Sequence, residues 1–140
     1  MNDQILSGSC LCGAINYLVR SPFLRFAHCH CSRCRKATGT GHASNLYVAS
    51  GHFAWVSGQE HIVRFDLPSA QSFATTFCGC CGSPLPHHTR CGQEVVIPAG
   101  SLDDSPTMQP QIHIFYASRV PWSCSPGGLP QSAELPEGWR

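Results

Sequence analysis

Cysteine is the residue type in this chain whose number and spacing point most clearly to chemistry. The 140 residues include ten cysteines, and eight of these fall into three short groups. The groups are Cys10-Leu11-Cys12, Cys29-His30-Cys31-Ser32-Arg33-Cys34 and Cys78-Gly79-Cys80-Cys81. Cysteines two residues apart rarely reach the geometry of a disulfide with each other, whereas their thiolates readily share one metal ion. The spacing therefore favours metal binding, with zinc as the expected ion.

A cytoplasmic setting is expected for these thiols. Chains that are rich in disulfides are usually secreted. Here the opening Met1-Asn2-Asp3-Gln4 leads into neither the basic nor the apolar region of a signal peptide. The sequence also has no apolar run of about 18 residues, so it predicts no membrane-spanning helix. We therefore expect reduced thiols that are available to bind metal.

A first, structural zinc site is predicted from two pairs of cysteines. The pairs are Cys10 with Cys12 and Cys78 with Cys81. Structural zinc takes four ligands in a tetrahedron, and two short cysteine pairs commonly supply them. Each pair is followed by a glycine, Gly13 or Gly82, which lets the backbone turn tightly and direct N–H groups at sulfur. The alternative is that all four are buried free thiols.

A second zinc site is predicted at Cys29, Cys31 and Cys34. Three thiolates without a fourth partner leave one position for a ligand, as in catalytic zinc sites. The alternative is a second structural site that is closed by Cys80 or by a histidine. The histidines considered for that role are His28, His30, His87 and His88. Because a three-ligand site can lose its metal, we expect the second zinc to be partly occupied.

Three basic residues, Arg33, Arg35 and Lys36, adjoin Cys34. Cys34 is expected at the start of a short helix, whose positive end lowers the pKa of a thiol. The basic side chains are predicted to offset the charge of the thiolates or to bind carboxylates of a substrate. The alternative is that they form a solvated helix face.

The remaining cysteines and histidines receive ordinary structural interpretations. Cys91 and Cys124 are interpreted as packing residues. The histidines interpreted as hydrogen-bonded strand or loop residues are His42, His52, His61 and His113.

Short strands must position these groups. The sequence predicts strands over residues 14–19, 45–49, 53–56, 61–66, 72–77, 94–98 and 111–117. In the first of these, Ile15, Tyr17 and Val19 alternate onto one face. Ser50-Gly51 predicts a hairpin turn between the second and third. The one predicted helix is short and covers Ser32–Thr38.

These elements indicate a mainly β fold, made of several small antiparallel sheets whose loops are held by metal. We expect one zinc-binding domain over residues 1–140, ending in an irregular arm over residues 124–140 that is rich in proline and glycine. Nine basic residues face eight acidic ones. A nucleic-acid-binding protein usually carries a basic stripe, so no nucleic-acid partner is expected.

Five segments carry a resemblance to a known family. They are Gly8-Ser9-Cys10-Leu11-Cys12-Gly13, His28-Cys29-His30-Cys31-Ser32-Arg33-Cys34-Arg35-Lys36, Phe77-Cys78-Gly79-Cys80-Cys81-Gly82-Ser83, Ala99-Gly100-Ser101-Leu102-Asp103-Asp104, and Pro110-Gln111-Ile112-His113-Ile114-Phe115 leading to Pro121-Trp122. In order and spacing they resemble the glutathione-dependent formaldehyde-activating enzyme family, also called the centromere protein V group. The resemblance runs from about residue 7 to about residue 123.

The resemblance implies a fold similar to the Mss4-like β-tent and the same two zinc sites. By similarity, the structural zinc is held by Cys10, Cys12, Cys78 and Cys81, and the zinc tied to activity by Cys29, Cys31 and Cys34. The namesake reaction is of the carbon–sulfur lyase type and joins formaldehyde to the thiol of glutathione. The sequence departs from the family pattern at Thr75, where the family often has arginine, and at Cys80, an additional thiol.

The function hypothesis is therefore a zinc-dependent, carbon–sulfur lyase-like enzyme. It would add a small thiol, glutathione or similar, to an aldehyde such as formaldehyde. His30 and His88 are the candidate proton donors. The alternative is a non-catalytic zinc scaffold that binds a small ligand or a partner protein.

Overall fold

Eleven strands and one α-helix form the part of the chain that is described by a computed structural model, residues 3–124 and 128–139 without the side chain of Cys124. The strands are β1 Ile5–Ser9, β2 Asn16–Arg20, β3 Arg25–Cys29, β4 Ala43–Ala49, β5 Phe53–Ser57, β6 Ile62–Asp66, β7 Ala74–Cys78, β8 Pro84–Leu85, β9 His87–His88, β10 Glu94–Pro98 and β11 Ile112–Ile114. The helix, α1, covers Ser32–Thr38.

The strands form three small sheets, which confirms the mainly β prediction. Their orders are β1-β2-β5, β11-β3-β4-β10-β9 and β6-β7-β8. Every pairing is antiparallel except that of β11 with β3, which is parallel. This one parallel pair is an exception within the small antiparallel sheets that the sequence predicted.

The main hydrophobic core lies between the first two sheets. The alternation predicted around β2 is confirmed, because Ile15, Tyr17 and Val19 are buried while Leu18 is exposed. Tyr17 packs against Phe53, with ring centroids 5.4 Å apart. The phenolic oxygen of Tyr17 shares a hydrogen bond of 2.6 Å with the Ser101 hydroxyl, so the largest core side chain has its polar atom satisfied.

A smaller core cluster joins the first sheet to the third. It consists of Cys10, Ile15, Cys78 and Leu85, all buried. Because two of its four members are cysteines of the first predicted zinc site, that site and this cluster stabilise the same junction.

Helix α1 has the predicted bounds, and its caps explain them. Cys31 precedes the helix with an extended backbone, and its sulfur accepts a hydrogen bond from the Cys34 N–H at 3.3 Å. Gly39 follows with φ 72°, a left-handed conformation that glycine adopts without the steric cost a side chain brings, and its N–H donates to the Arg35 carbonyl. No helix in the described part of the chain is long and apolar enough to cross a membrane.

Several local predictions are wrong. Ser50–His52 is a 3₁₀ turn rather than a hairpin, since β4 and β5 belong to different sheets. Strand β11 ends at Ile114, because Phe115 has φ 52° and a 3₁₀ turn at Tyr116–Ser118 follows. Strands β1 and β3 were not predicted. The described residues 128–139 of the predicted arm contain no helix or strand.

Candidate metal centres and adjoining cavities

Four thiols from two separate segments meet at one point. Cys10 follows β1, Cys12 lies in the turn before β2, Cys78 ends β7, and Cys81 lies in the turn after it. Their sulfur atoms lie within 4.8 Å of one another. The structure thus brings together two cysteine pairs that are 66 residues apart in sequence.

The spacing of these sulfurs fits zinc. The Cys10 and Cys12 sulfurs are 3.7 Å apart, and those of Cys12 and Cys78 are 3.9 Å apart. Four sulfurs bound to a tetrahedral zinc at about 2.3 Å lie about 3.8 Å from one another. A disulfide would require about 2.05 Å, and the nine cysteines of the described residues whose state is defined are free. The group therefore matches a closed, four-ligand structural site.

Both turns direct N–H groups at the sulfurs. The Ile15 N–H donates to the Cys10 sulfur at 3.2 Å, and the Cys80 N–H donates to the Cys78 sulfur at 3.3 Å. Gly13 and Gly82 follow with φ 79° and 76°. Such N–H···S bonds stabilise thiolates, as metal ligands require.

Ser83 supports the same site and was missed as a functional residue. Its hydroxyl lies 3.3 Å from the Cys81 sulfur and accepts a hydrogen bond from the Leu11 N–H at 3.1 Å. The side-chain and backbone hydrogen bonds of Ser83 lower the pKa of Cys81 to about 5. Cys80 is exposed and does not join the sulfur group.

Three further thiols meet between β3 and α1. Cys29 ends β3, Cys31 caps α1, and Cys34 lies in the first turn of the helix. Their sulfurs lie within 4.8 Å of one another. Among the side chains that the structure describes, no fourth cysteine, histidine, aspartate or glutamate ligand joins this group.

The acidity of this group differs from the expectation. A hydrogen bond from the Cys34 thiol lowers the pKa of Cys29 to about 6, against an opposing effect of burial. The same bond, with burial, raises the pKa of Cys34. The expected lowering at Cys34 is therefore wrong: Cys29 is the acidic thiol, because its neighbour donates to it.

Four histidines form a cluster behind the three thiols. The rings of His28 and His42 are 4.2 Å apart between centroids, and those of His30 and His113 are 5.0 Å apart. His30 is completely buried, and one of its ring nitrogens shares a 2.8 Å hydrogen bond with His113. His42 was interpreted as hydrogen-bonded, yet its buried Nδ1 has no hydrogen-bond partner among the residues that the structure describes. The cluster exists because β11 pairs with β3 and brings His113 beside His28.

A cavity of about 480 Å³ adjoins the three thiols. We call it the thiol cavity. Besides the three cysteines, the polar residues that line it include Ser32, Asn45, Tyr47, Ser72, Thr89 and Ser118. Phe115 also lines it, and its positive φ is unusual for an aromatic residue. Backbone strain of this kind clusters at functional sites.

The three basic residues lie in different places. Arg33 lines the thiol cavity and the next cavity along the surface, and Lys36 lines only the latter. Arg35 lines neither, and within the described part of the chain its buried Nε has no hydrogen-bond partner. The helix therefore offers the cavities two cations rather than three.

Among the described residues, His87 is the only histidine that lines either of these two cavities, and it lines both. Burial, together with the nearby Arg64, lowers its pKa to about 4, so its ring is neutral near pH 7. The proton donors suggested from the sequence, His30 and His88, line neither cavity. In the sequence, His87 was considered only as a metal ligand.

The environment of Cys91 differs from the one expected from the sequence. Cys91 is exposed in the turn between β9 and β10, where it contacts the Thr89 hydroxyl at 3.4 Å, so it is not a packing residue. The interpretation of Cys124 concerns a side chain outside the described residues.

The comparison with known families agrees with this arrangement. The model of the glutathione-dependent formaldehyde-activating enzyme family matches residues 5–118. The chain belongs to this family. The matched region contains all seven cysteines of the two sulfur groups, which confirms the resemblance drawn from the motifs.

Two relatives support the assignment at different levels. A protein of Halomonas elongata that carries the same family name is 34% identical over 126 residues, which cover 85% of this chain and 80% of that protein. A crystal structure of a Rhodobacter sphaeroides protein superposes with a TM-score of 0.58 at 22% identity, covering 76% of this chain and 97% of the other. The second relative supports the fold alone.

Proposed function

We propose that this family member is a zinc enzyme that adds the thiol of glutathione to an aldehyde. With formaldehyde the product is S-(hydroxymethyl)glutathione, and the reverse reaction breaks a carbon–sulfur bond, as a lyase does. The observation that carries the proposal is the group of three sulfurs, from Cys29, Cys31 and Cys34, at the wall of a 480 Å³ cavity. Catalytic zinc has three protein ligands and leaves the fourth position for water or substrate.

The two sulfur groups are proposed to have different duties. The four-thiol group would hold a structural zinc, and the three-thiol group a second zinc that can be partly occupied. A zinc ion held by these three thiolates would supply a Lewis acid that lowers the pKa of a thiol beside it. The remaining chemistry belongs to the side chains of the chain itself.

Binding and orientation of glutathione are assigned to the thiol cavity. Its serine, threonine and asparagine side chains can donate to and accept from a peptide. Arg33 is exposed at the shared edge of the two cavities, where its guanidinium can pair with a carboxylate in bidentate fashion. Lys36 lines only the next cavity along the surface, so it is not assigned to glutathione binding, and the location of Arg35 favours a structural role.

Proton transfer is assigned to His87 in place of His30 and His88. The neutral His87 ring accepts the thiol proton while sulfur attacks the carbonyl carbon. The electron pair of the carbonyl π bond moves to oxygen, which then receives the proton from His87. One S–H and one C=O π bond are lost, one C–S and one O–H bond are formed, and no net proton or electron is exchanged.

A cytoplasmic location and the absence of a nucleic-acid partner are part of the proposal. The free state of the nine described cysteines fits a reducing compartment. The net charge of +1 gives no basic footprint for nucleic acid.

The function can be tested with zinc-loaded protein, glutathione and ¹³C-formaldehyde. Exchange NMR measures the rate of S-hydroxymethylation above the uncatalysed rate. We expect acceleration by the unaltered chain, its loss in Cys34→Ser, and its retention in Cys91→Ser, the matched control at an exposed cysteine. A lack of acceleration by the fully zinc-loaded chain would contradict the enzyme and favour the scaffold.

A further inference from the structure

A second cavity, of about 530 Å³, lies between α1 and the β6-β7-β8 sheet. We call it the apolar cavity, because carbon-rich side chains dominate its lining. They include Phe65, Leu67, Phe73, Phe77, Pro84 and Ala37. None of the described residues that line it is an aspartate or glutamate. Its volume lies within the roughly 300–1,000 Å³ of small-molecule sites.

One wall of the apolar cavity is fixed by Arg90. Its guanidinium donates to the backbone carbonyls of Leu67, Ala70, Gln71 and Phe73 at 2.7–3.2 Å. A segment without regular structure is thereby held as a compact turn. Leu67 and Phe73 keep their place at the cavity because four carbonyls share one cation.

The apolar cavity and the thiol cavity adjoin each other and share part of their lining. The residues common to both are Arg33, Cys34, Asn45, Phe73, Ala74 and His87. Both proposed reaction groups, a zinc ligand and the proton-transferring histidine, therefore lie at the boundary. A molecule that reacts at this boundary can extend into either cavity.

Neither substrate named in the proposed function suits the apolar cavity. Formaldehyde has no group that could occupy it. Glutathione is a charged peptide whose polar groups would lose hydrogen bonds with water among the phenylalanine rings. The polar lining of the thiol cavity suits glutathione better.

We infer that the preferred electrophile of this chain is an aldehyde that carries an apolar chain of several carbons, with the chain in the apolar cavity and the carbonyl at the boundary. The inference rests on the proposed function and specifies its second substrate. The reaction is the same addition: the thiol sulfur bonds to the carbonyl carbon, and the thiol proton passes to the carbonyl oxygen to give a hemithioacetal.

Thr75 is the position best suited to test this inference. Its side chain is half-buried, lines the apolar cavity and lies opposite Phe65 in the β6–β7 register. Thr75→Arg would place a long charged side chain in the apolar cavity without altering a residue assigned to binding or catalysis.

The experiment compares propanal with hexanal, each with glutathione and the zinc-loaded protein. The two carbonyls have nearly equal intrinsic reactivity, so the comparison isolates the effect of the aldehyde's alkyl chain. Each buried methylene is expected to raise kcat/KM about fourfold, hence about sixtyfold for three methylenes. The rate is followed by exchange NMR between the aldehyde and hemithioacetal signals.

Variants locate the effect. Thr75→Arg should reduce the preference for hexanal to below fivefold and leave the formaldehyde rate unchanged. Thr107→Arg, the matched control at an exposed threonine outside both cavities, should retain the full preference. Phe65→Ser, at a half-exposed ring, is a second variant that should weaken the preference without unfolding the protein. Saturable binding of 1-hexanol, measured by NMR shifts, should be lost in Thr75→Arg.

The outcomes separate the two proposals. Acceleration with formaldehyde but equal kcat/KM for propanal and hexanal would overturn the inference and leave the proposed function standing. A preference for hexanal that persists in both Thr75→Arg and Phe65→Ser would also overturn it. Failure to accelerate any aldehyde would overturn the proposed function and the inference with it, whatever the binding of 1-hexanol.

Discussion

Replacement of two chemically equivalent cysteines is expected to affect different properties, activity in one case and folding in the other. Cys81 belongs to the four-thiol group, which joins two sheets, whereas Cys34 belongs to the three-thiol group at the cavity wall. Cys34→Ser should remove one zinc per chain and all thiol-adding activity, with the circular dichroism spectrum unchanged. Cys81→Ser should unfold much of the domain, since zinc binding at such a junction is part of the folding free energy.

Metal analysis and thermal unfolding of the purified variants check this contrast, with Cys91→Ser as the control that should resemble the unaltered chain. If Cys34→Ser and Cys81→Ser lose zinc and structure to the same extent, the division into a structural and a ligand-binding centre is wrong.

His87 gives a prediction for pH dependence. Burial and the positive charge of Arg64 lower its pKa to about 4, whereas Asp66 acts in the opposite direction. The unfolded chain, with an ordinary histidine pKa near 6.5, therefore binds more protons between about pH 6.5 and pH 4. The His87 contribution to the free energy of unfolding is constant above that window and falls by about 3 kcal/mol as the pH decreases through it.

Urea unfolding at pH 7.5 and pH 4.5 gives the loss of unfolding free energy between the two pH values. The effect of His87 is the amount by which that loss is greater in the unaltered chain than in His87→Gln. The NMR resonance of the His87 ring should keep its neutral position at pH 5.5. A ring that titrates near pH 6.5 would remove both the stability prediction and the basis for a neutral proton acceptor.

At the scale of elements, helix α1 depends on its ends. Gly39→Ala places a side chain at φ 72° with no neighbour within 4 Å, so only the backbone conformation opposes it. The free energy of unfolding should fall by about 1 kcal/mol. Gly51→Ala is the matched control, because its surroundings are equally open and its φ is not positive; it should change stability by less than about 0.5 kcal/mol. Equal losses in urea unfolding would contradict the role of the cap.

The elements that the sequence predicted are those with a local signal. Ile15, Tyr17 and Val19 carry the alternation of a strand with one buried face, and the short helix is bounded by Cys31 and Gly39. Strand β1 has the sequence Ile-Leu-Ser-Gly-Ser, in which small and polar residues hide the pattern. Strand β3 buries the consecutive Phe26 and Ala27, which breaks the alternation.

The candidate site also has some features with a local sequence signal and others without one. The cysteine groups were apparent because ligands of one metal recur at short spacing. The position of His87 beside the thiols, and the cluster of four histidines, arise from pairing between distant strands, such as β3 with β11. Such pairings are set by the packing of whole sheets, so no local sequence pattern predicts them. The left-handed conformation of Phe115 likewise has no signal in its residue type.

At the scale of the whole molecule, the four-thiol centre connects segments that the sheets alone leave separate. Cys10 and Cys12 flank the first sheet, and Cys78 and Cys81 the third. A mild chelator should therefore remove one zinc without changing the circular dichroism spectrum. A strong chelator should remove the second zinc together with the β structure, and re-added zinc should restore it. Loss of both zincs in one step, with or without unfolding, would contradict two unequal centres.

The three-thiol group is proposed to leave one ligand position of its zinc open, whereas the four-thiol group leaves none. The most direct measurement is a crystal structure of the zinc-loaded protein soaked with glutathione. The account predicts glutathione sulfur bonded to the zinc held by Cys29, Cys31 and Cys34, and only protein sulfurs on the other zinc. A protein side chain bound as the last ligand of that second zinc, with glutathione elsewhere or absent, would contradict it.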